Sequence, residues 1–302
     1  MGTVYRALDR LTGQMVALKR VLVSGKQLQF ASRDDSRDFR VALAEEFRTL
    51  ASLRHPHIIS VLDYGFDGEK RPYFTMELLE EAQTVVTTCI ERPFSVKLDY
   101  LQQALEALAY LHQRGIIHRD LKPDNMLVVG EQLKLLDFGL AIERDYAGQH
   151  ADDGMVGTIN YMAPELFQSG VASIASDLYA LGTVAFQLFA ERHPFAGPSL
   201  PFLISQILTE PPDPPALPIA QQLQEIVGRL MAKNPADRFG SARAVLAALA
   251  EAGFGDTKPE RIEIRESYLR AAAFVGRKTE LAQLTRALQR AMESHGSGWL
   301  IV

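Results

Sequence analysis

The chain has 302 residues, a length that accommodates one two-lobed domain and a short appendage. Hydrophobic residues make up 47% and charged residues 23% of the sequence, the balance of an ordinary folded protein. The formal net charge is -5, and no cluster of Lys and Arg provides a footprint for nucleic acid or for an anionic membrane. Composition therefore argues against nucleic-acid-binding proteins and membrane-surface proteins.

Cysteine content and hydropathy bear on the cellular compartment. The single cysteine, Cys89, cannot form an internal disulfide and is expected to be a buried apolar residue. No apolar run approaches the roughly 20 residues that a membrane-spanning helix needs, and residues 1–10 lack the pattern of a signal peptide. We therefore expect a cytoplasmic protein with no membrane contact in this segment.

The predicted elements fall into two groups along the chain. Short apolar or alternating runs predict strands at 3–7, 15–23, 58–66 and 72–79, with one amphipathic helix at 39–53. From residue 98 onward the pattern is mostly helical, with helices predicted at 100–113, 175–189, 200–209, 219–231 and 242–251. The fold class expected is α+β, with a small antiparallel sheet and one main helix in one lobe and a larger helical lobe.

Four motifs then follow one another in the order Val16-Ala17-Leu18-Lys19, His118-Arg119-Asp120-Leu121-Lys122-Pro123-Asp124-Asn125, Asp137-Phe138-Gly139 and Ala163-Pro164-Glu165. One of these alone is weak evidence, but all four in this order resemble the signature of eukaryotic-like, bacterial-type serine/threonine protein kinases. The resemblance implies a two-lobed protein-kinase fold. It also implies transfer of the γ-phosphoryl group of ATP to Ser or Thr hydroxyls of protein substrates in signal transduction.

The resemblance assigns catalytic roles to three residues of the second motif. Asp120 is expected to orient or deprotonate the substrate hydroxyl, and Lys122 to neutralise the transferring phosphoryl group. Asn125 and Asp137 supply the hard oxygen ligands that Mg²⁺ prefers. ATP and Mg²⁺ are therefore the expected cofactors.

The resemblance also implies a nucleotide-binding set. Lys19 is a point charge suited to the α and β phosphates, and Glu46 is the helix carboxylate expected to hold it, with Glu45 as the adjacent alternative. The other expected nucleotide-binding residues are Gly2, Val4, Ala17, Met76 at the gatekeeper position, Glu77 and Leu79 on the hinge, Leu127 and Asp137. Core packing is an equally good explanation of Val4, Ala17 and Leu127 individually.

Two further residue sets resemble the scaffold of the catalytic site. Asp177 matches the aspartate that braces the catalytic loop. Arg238 matches the partner of Glu165, although an ordinary surface salt bridge is the alternative for this pair.

The glycine-rich loop departs from the family pattern, because Met1-Gly2-Thr3-Val4 keeps only its last glycine and its valine. We expect Met1 to be an internal methionine of a longer reading frame, so that the first strand of the domain is missing. The alternative is a non-catalytic kinase-fold scaffold or regulatory module. Between 140 and 163 the only Ser or Thr is Thr158, and pairing of Asp152 or Asp153 with Arg119 is one way to order this segment without phosphorylation.

Domain boundaries follow from these assignments. The kinase domain is expected at 1–252, divided into lobes at 1–79 and 80–252, with a linker at 253–272. The run Phe274-Val275-Gly276-Arg277, followed by a helical pattern, resembles the opening of an AAA-type or STAND-type ATPase domain, so 273–302 is expected to be its truncated start. A docking helix followed by a strand is the alternative for this tail.

Overall fold

The computed structural model describes residues 3–20, 47, 49–69, 71–137, 159–168, 170–212 and 219–255. The chain divides into two compact units, Met1–Thr257 and Lys258–Val302, and every described residue belongs to the first. Within the described ranges, no helix combines the length and the apolar character that crossing a bilayer requires.

An antiparallel sheet of four strands forms the N-terminal lobe. Its strands are β1 (Thr3–Leu8), β2 (Met15–Arg20), β3 (Val61–Phe66) and β4 (Pro72–Glu77), in the spatial order β1-β2-β4-β3. The β1–β2 turn is fixed by the Asp9 carboxylate, which accepts hydrogen bonds from the Leu11 amide at 2.8 Å and the Thr12 hydroxyl at 2.7 Å. All four predicted strands are present. The strand predicted from residue 58 starts three residues later, since Ile58 forms only an isolated bridge to Leu135.

Helices dominate the C-terminal lobe. They are α1 (Val85–Cys89), α2 (Phe94–Gln113), α3 (Ile174–Ala190), α4 (Leu200–Thr209), α5 (Gln221–Leu230) and α6 (Ala242–Leu249). The sequence-based start of α2 at residue 100 is wrong by six residues, because Pro93 occupies the N-cap position and the helix begins immediately after it. Helix α1 was not predicted, and its five residues are too few to show a helical period.

A second, three-stranded sheet lies in the C-terminal lobe and was also missed. Its strands β5 (Gln83–Thr84), β6 (Met126–Val129) and β7 (Gln132–Leu135) pair antiparallel in that order. Strands of two and four residues carry almost no alternation signal. Their importance is positional, since β6 follows the second motif directly and β7 ends two residues before Asp137.

The core of the larger lobe forms around α2, which packs against α3, α6 and β7. Its fully buried side chains include Leu101, Leu105, Leu108, Leu133 and Leu181. The expected α+β architecture of two lobes is confirmed.

The last described segment is a helical turn at Ala250–Phe254 that packs on the start of α2. The Phe254 ring centroid lies 5.9 Å from that of Phe94, and the Phe254 carbonyl accepts a hydrogen bond of 2.7 Å from the side-chain Nε2 atom of Gln102. Gly253 adopts φ = 83°, a conformation that glycine enters without steric cost. These contacts fasten the chain to the first turns of α2.

Candidate active site

One face of the N-terminal sheet gathers four of the predicted nucleotide-binding residues. In the β1–β2 register Val4 lies opposite Lys19, and in the β2–β4 register Ala17 lies opposite Met76. Directly opposed residues share a face, as do residues two apart along a strand. Val4, Ala17, Lys19 and Met76 therefore line the same surface, with Ala17 and Met76 buried and Val4 half exposed.

Lys19 connects this surface to the other lobe. Its ammonium group contacts the Oδ2 atom of Asp137, which lies just beyond the end of β7. The Lys19 side chain is 13% exposed and that of Asp137 is 29% exposed, so the pair is shielded yet open on one side. Asp137 has φ = 57°, a left-handed conformation that is uncommon outside glycine and asparagine. The contact brings the first and third motifs together.

The catalytic loop places its three polar side chains in one hydrogen-bonded cluster. The Asp120 Oδ2 atom lies 3.3 Å from Lys122 Nζ and accepts a hydrogen bond of 3.1 Å from Asn125 Nδ2. The Asn125 amide nitrogen also donates to the Asp120 carbonyl oxygen at 2.7 Å. All three residues are buried. Asp120, Lys122 and Asn125 are thus held in fixed relative positions.

Asp177, in the first turn of α3, holds the backbone of this loop. Its carboxylate accepts hydrogen bonds from the amides of His118 at 2.7 Å and Arg119 at 2.9 Å. Arg119 has φ = 70°, a left-handed conformation. With this backbone conformation, the amides of His118 and Arg119 both point at the Asp177 carboxylate. The same carboxylate is 2.9 Å from the Nε2 atom of His112, at the end of α2. The predicted bracing role of Asp177 is confirmed, and His112 is an additional partner that the sequence did not reveal.

The side chain of His118, at the start of this loop, is buried. Burial lowers the pKa of His118, and the nearby carboxylates of Asp177, Asp120 and Asp137 oppose that shift only partly. A neutral imidazole at pH 7 follows. His118 therefore acts as a packing residue at this position and does not add positive charge to the site.

The hinge residue Glu77 joins three parts of the chain. Its side-chain Oε1 accepts hydrogen bonds of 3.1 Å from the Ser60 amide and from Lys134 Nζ on β7. Leu79 follows in the connection to the larger lobe and is partly buried, as is Leu127 on β6. Leu127 lies opposite Lys134 in the β6–β7 register. The hinge carboxylate is therefore anchored to the strand that leads to Asp137.

Arg238 and Glu165 form an ion pair in which the arginine is buried. Arg238 donates to both carboxylate oxygens of Glu165 at 2.7 Å, and its other groups donate to the carbonyls of Ala175 at 2.8 Å and Ala232 at 2.7 Å. The Arg238 side chain has no exposed surface. The predicted pairing is confirmed, and the alternative of an ordinary surface salt bridge is excluded by this burial.

A family profile described as "Protein kinase domain" matches residues 1–249. The chain belongs to the protein kinase family. The match includes all four motifs and every predicted site residue, and it ends at the last residue of α6.

Curated relatives of this kinase domain are bacterial serine/threonine kinases. The serine/threonine-protein kinase PknA of Mycobacterium tuberculosis is 35% identical over 266 residues, which cover 86% of this chain and 60% of that protein. The DNA damage-responsive serine/threonine-protein kinase RqkA of Deinococcus radiodurans is 38% identical over 257 residues, covering 82% and 36%. Pkn2 of Myxococcus xanthus is 34% identical, covering 83% and 31%. The chain thus carries a kinase domain of the bacterial serine/threonine type and spans 60% or less of these relatives.

Among solved structures, Rad53 residues 1–466 in complex with AMP-PNP superposes with a TM-score of 0.62 at 24% identity. The superposition covers 81% of this chain and 60% of the other. At that identity the likeness establishes the protein-kinase fold of the chain.

Several predicted residues lie outside the described part of the kinase domain. They are Gly2, Glu45, Glu46, Phe138, Gly139, Asp152, Asp153 and Thr158. Conversely, Ser60, His112 and Lys134 contribute contacts that sequence reasoning missed. Their partners are 17 to 65 positions away, so no local pattern signals these contacts.

Proposed function

We propose that this protein is a serine/threonine protein kinase that transfers the γ-phosphoryl group of ATP to hydroxyl groups of protein substrates in signal transduction. The observations that carry the proposal are the contact between Lys19 and Asp137 and the hydrogen-bonded Asp120–Lys122–Asn125 cluster of the catalytic loop. The contact joins motifs more than one hundred residues apart, and the charges of both groups are suited to phosphoryl transfer.

The catalytic loop is suited to prepare the acceptor hydroxyl. Asp120 orients this hydroxyl and accepts its proton, while Lys122, 3.3 Å from the same carboxylate, stabilises the negative charge of the phosphoryl group in transfer. Asn125 fixes the Asp120 side chain through its 3.1 Å hydrogen bond. Pre-positioned groups of this kind lower the barrier because little reorganisation accompanies the reaction.

ATP fits the face of the N-terminal sheet described above. Ala17, Met76 and Val4 offer an apolar surface for the adenine ring from one lobe, and Leu127 offers one from the other. Glu77 and Leu79 lie on the hinge, whose backbone is the proposed partner of the purine edge. Gly2 is the remaining proposed nucleotide-binding residue, because it matches the last glycine of the glycine-rich loop that covers the ATP phosphates in kinases.

Glu46 is the proposed partner that orients Lys19 when the nucleotide is bound. Support comes from the following residue, Phe47, whose ring centroid is 5.6 Å from that of Phe74. Phe74 lies opposite Lys19 in the β2–β4 register and so shares its face of the sheet. The Phe47 ring thus packs on the face of the sheet that carries Lys19.

Mg²⁺ is the proposed metal, and the donor set fits it. The amide nitrogen of Asn125 is engaged with Asp120, which leaves the amide oxygen of Asn125 as the atom for a cation. Asp137 adds a partly exposed carboxylate. Oxygen ligands from only two side chains are typical of magnesium shared with nucleotide phosphates. When bound, the ion neutralises phosphate charge; Asn125 and Asp137 would hold it.

We also propose the domain organisation expected from the sequence, with the kinase domain at 1–252, a linker at 253–272 and the start of an ATPase-type domain at 273–302. Its support is the sequence motif beginning at Phe274. The missing part of the glycine-rich loop and cytoplasmic placement stay predictions. Inspection of the codons upstream of Met1 tests the former: no glycine pair within about ten codons contradicts it.

Transfer of labelled γ-phosphate from ATP to a generic basic protein and to the chain itself, with and without Mg²⁺, tests the proposed activity. Asp120→Ala is expected to abolish transfer, whereas Asp63→Asn, which changes an exposed carboxylate at the sheet edge, leaves it intact. An upstream-extended chain is compared in parallel. No transfer by either chain, together with no ATP-induced thermal shift, supports a non-catalytic scaffold instead.

A further inference from the structure

The turn between α5 and α6 makes two contacts whose combination suggests a further role. This 233–238 turn contains the helical turn Pro235–Asp237, and the Asn234 side chain stabilises it by accepting a 3.2 Å hydrogen bond from the Ala236 amide. Lys233 stands at one end of the turn and Arg238 at the other.

Lys233 binds the C-terminal end of α4. Within that helix, the Gln206 carbonyl accepts the Glu210 amide at 2.9 Å, but the corresponding donor for the Ile207 carbonyl would be residue 211. Residue 211 is proline and has no amide hydrogen. Lys233 Nζ donates to the Ile207 carbonyl instead, at 2.6 Å, and lies 3.4 Å from the Gln206 carbonyl. Because Ile207 is fully buried, this lysine satisfies a carbonyl that water does not reach.

The surroundings of Lys233 favour a fixed ammonium group. Its Nζ lies 4.4 Å from the Phe195 ring centroid and 5.8 Å from that of Tyr179, at distances where an aromatic face attracts a cation. The charged groups that act on it are Arg238 and Glu210. Burial lowers the pKa of Lys233 to about 8, Arg238 adds to the shift and Glu210 opposes it, so the group is mostly protonated at pH 7. A positive charge there also complements the helix dipole.

Arg238, at the other end of the same turn, binds the Ala163-Pro164-Glu165 segment through the Glu165 ion pair. Its guanidinium also donates to the Lys233 carbonyl at 3.2 Å and lies 4.9 Å from the Tyr179 ring centroid. The Lys233 ammonium and the Arg238 guanidinium thus approach one ring, and the guanidinium is hydrogen-bonded to the backbone carbonyl of Lys233. These contacts connect the two ends of the turn directly.

We propose that Lys233 is a positioning residue that couples α4 to the 163–168 segment, so that both form one rigid surface for protein substrates. The inference rests on the proposed kinase function, since it concerns how the protein substrate is held. The outer side of α4 carries Phe202, which is 45% exposed and available for such contact. Nucleotide binding, which uses other residues, is not expected to depend on Lys233.

Three variants of the full chain separate coupling from simple helix capping. Lys233→Met removes the donor, and Lys233→Arg keeps charge and donors. The double variant Lys233→Met, Pro211→Ala supplies an amide at 211 that restores a hydrogen-bond donor for Ile207 without the link to the turn. Amide hydrogen exchange is measured over 203–210 and 163–168, with 101–108 of the α2 core as reference.

In Lys233→Met, exchange is expected to accelerate by about tenfold in both segments, because a hydrogen bond from a charged donor is lost. Exchange in the 101–108 reference segment is expected to stay unchanged. Lys233→Arg stays close to the parent chain. The double variant recovers slow exchange in α4 but not in 163–168. Recovery of both segments in the double variant, or no change at 163–168 in Lys233→Met, overturns the coupling.

Steady-state kinetics provide the functional readout. Lys233→Met is expected to raise KM for a protein substrate several-fold with KM for ATP unchanged, because only the protein-binding surface is loosened. Equal loss for both substrates contradicts the proposal. If neither the parent chain nor the upstream-extended chain transfers phosphate and ATP gives no thermal shift, the proposed function fails, while the exchange measurement still decides whether Lys233 couples the two segments.

Discussion

The guanidinium of Arg238 is entirely buried and donates two hydrogen bonds of 2.7 Å to the Glu165 carboxylate. Removal of the arginine removes these two hydrogen bonds, together with those that it donates to the Ala175 and Ala232 carbonyls. A buried pair broken on one side costs about 3 kcal/mol or more.

Arg238→Ala is therefore expected to lower the free energy of unfolding by about 3 kcal/mol, measured by urea denaturation. The matched control is Arg6→Ala, whose pair with Glu80 is 63% and 69% exposed and contributes little. Equal effects of the two substitutions contradict the importance of burial.

Asp177→Asn tests whether the catalytic loop depends on its anchor. The amide side chain has one acceptor oxygen for the two backbone amides and no charge for His112, so the loop shifts. A displacement of about 1 Å reduces turnover on the order of a hundredfold. We expect kcat to fall by that order while ATP still binds, as measured by kinetics and by a thermal shift with ATP. Unchanged kcat means that the loop holds its shape without Asp177.

Lys19→Met tests the contact between the lobes. The substitution keeps the length of the side chain and removes the charge that contacts Asp137. We expect kcat/KM to fall by at least about a hundredfold because a charge that stabilises the phosphates is lost. The melting temperature of the chain without ATP stays within a few degrees. A large loss of stability together with activity indicates a structural role for Lys19 instead.

The stability of the fold is expected to depend on His55 in acid. His55 is buried with its ring 4.9 Å from that of Tyr110, and burial, together with the charges of His57, Arg114 and Lys134, lowers its pKa from 6.5 to about 3. Between these values the unfolded chain binds a proton that the folded chain does not, so stability falls as pH decreases from 6.5 towards 3. For one such group the slope is at most about 1.4 kcal/mol per pH unit.

His55→Asn is the variant that checks this dependence. Its side-chain oxygen can replace the His55 Nδ1 atom, which accepts a 3.2 Å hydrogen bond from the His57 amide. Urea unfolding of both chains from pH 7 to pH 4 is compared. His118 and His193 also have lowered pKa values and remain in both chains, so the difference in slope isolates His55. Parallel curves contradict the prediction.

The sequence predicts which polar residues of the candidate site lie together, because these residues are concentrated in short motifs. Asp120, Lys122 and Asn125 lie within six consecutive positions, and their mutual contacts follow from one tight loop. The strands that carry Ala17 and Met76 were also predicted, since alternation within a half-buried sheet is a local signal.

Contacts between distant segments could not be predicted in the same way. Lys134 reaches Glu77 across 57 positions and His112 reaches Asp177 across 65, and neither residue stands in a pattern that indicates a partner. The start of α2 was missed although Phe94, Leu98 and Leu101 already follow helical spacing. Short strands such as β5 depend on their neighbours in space rather than on their own composition.

The left-handed backbone at Arg119 limits which residues evolution or an experimenter can place there. Valine and isoleucine, with branched side chains, are strained at φ = 70°, whereas asparagine enters this region readily. Arg119→Asn therefore removes the positive charge while keeping the shape of the loop, and Arg119→Val removes both. Comparing the two variants shows how much of the effect of a substitution at 119 comes from backbone conformation and how much comes from loss of the positive charge.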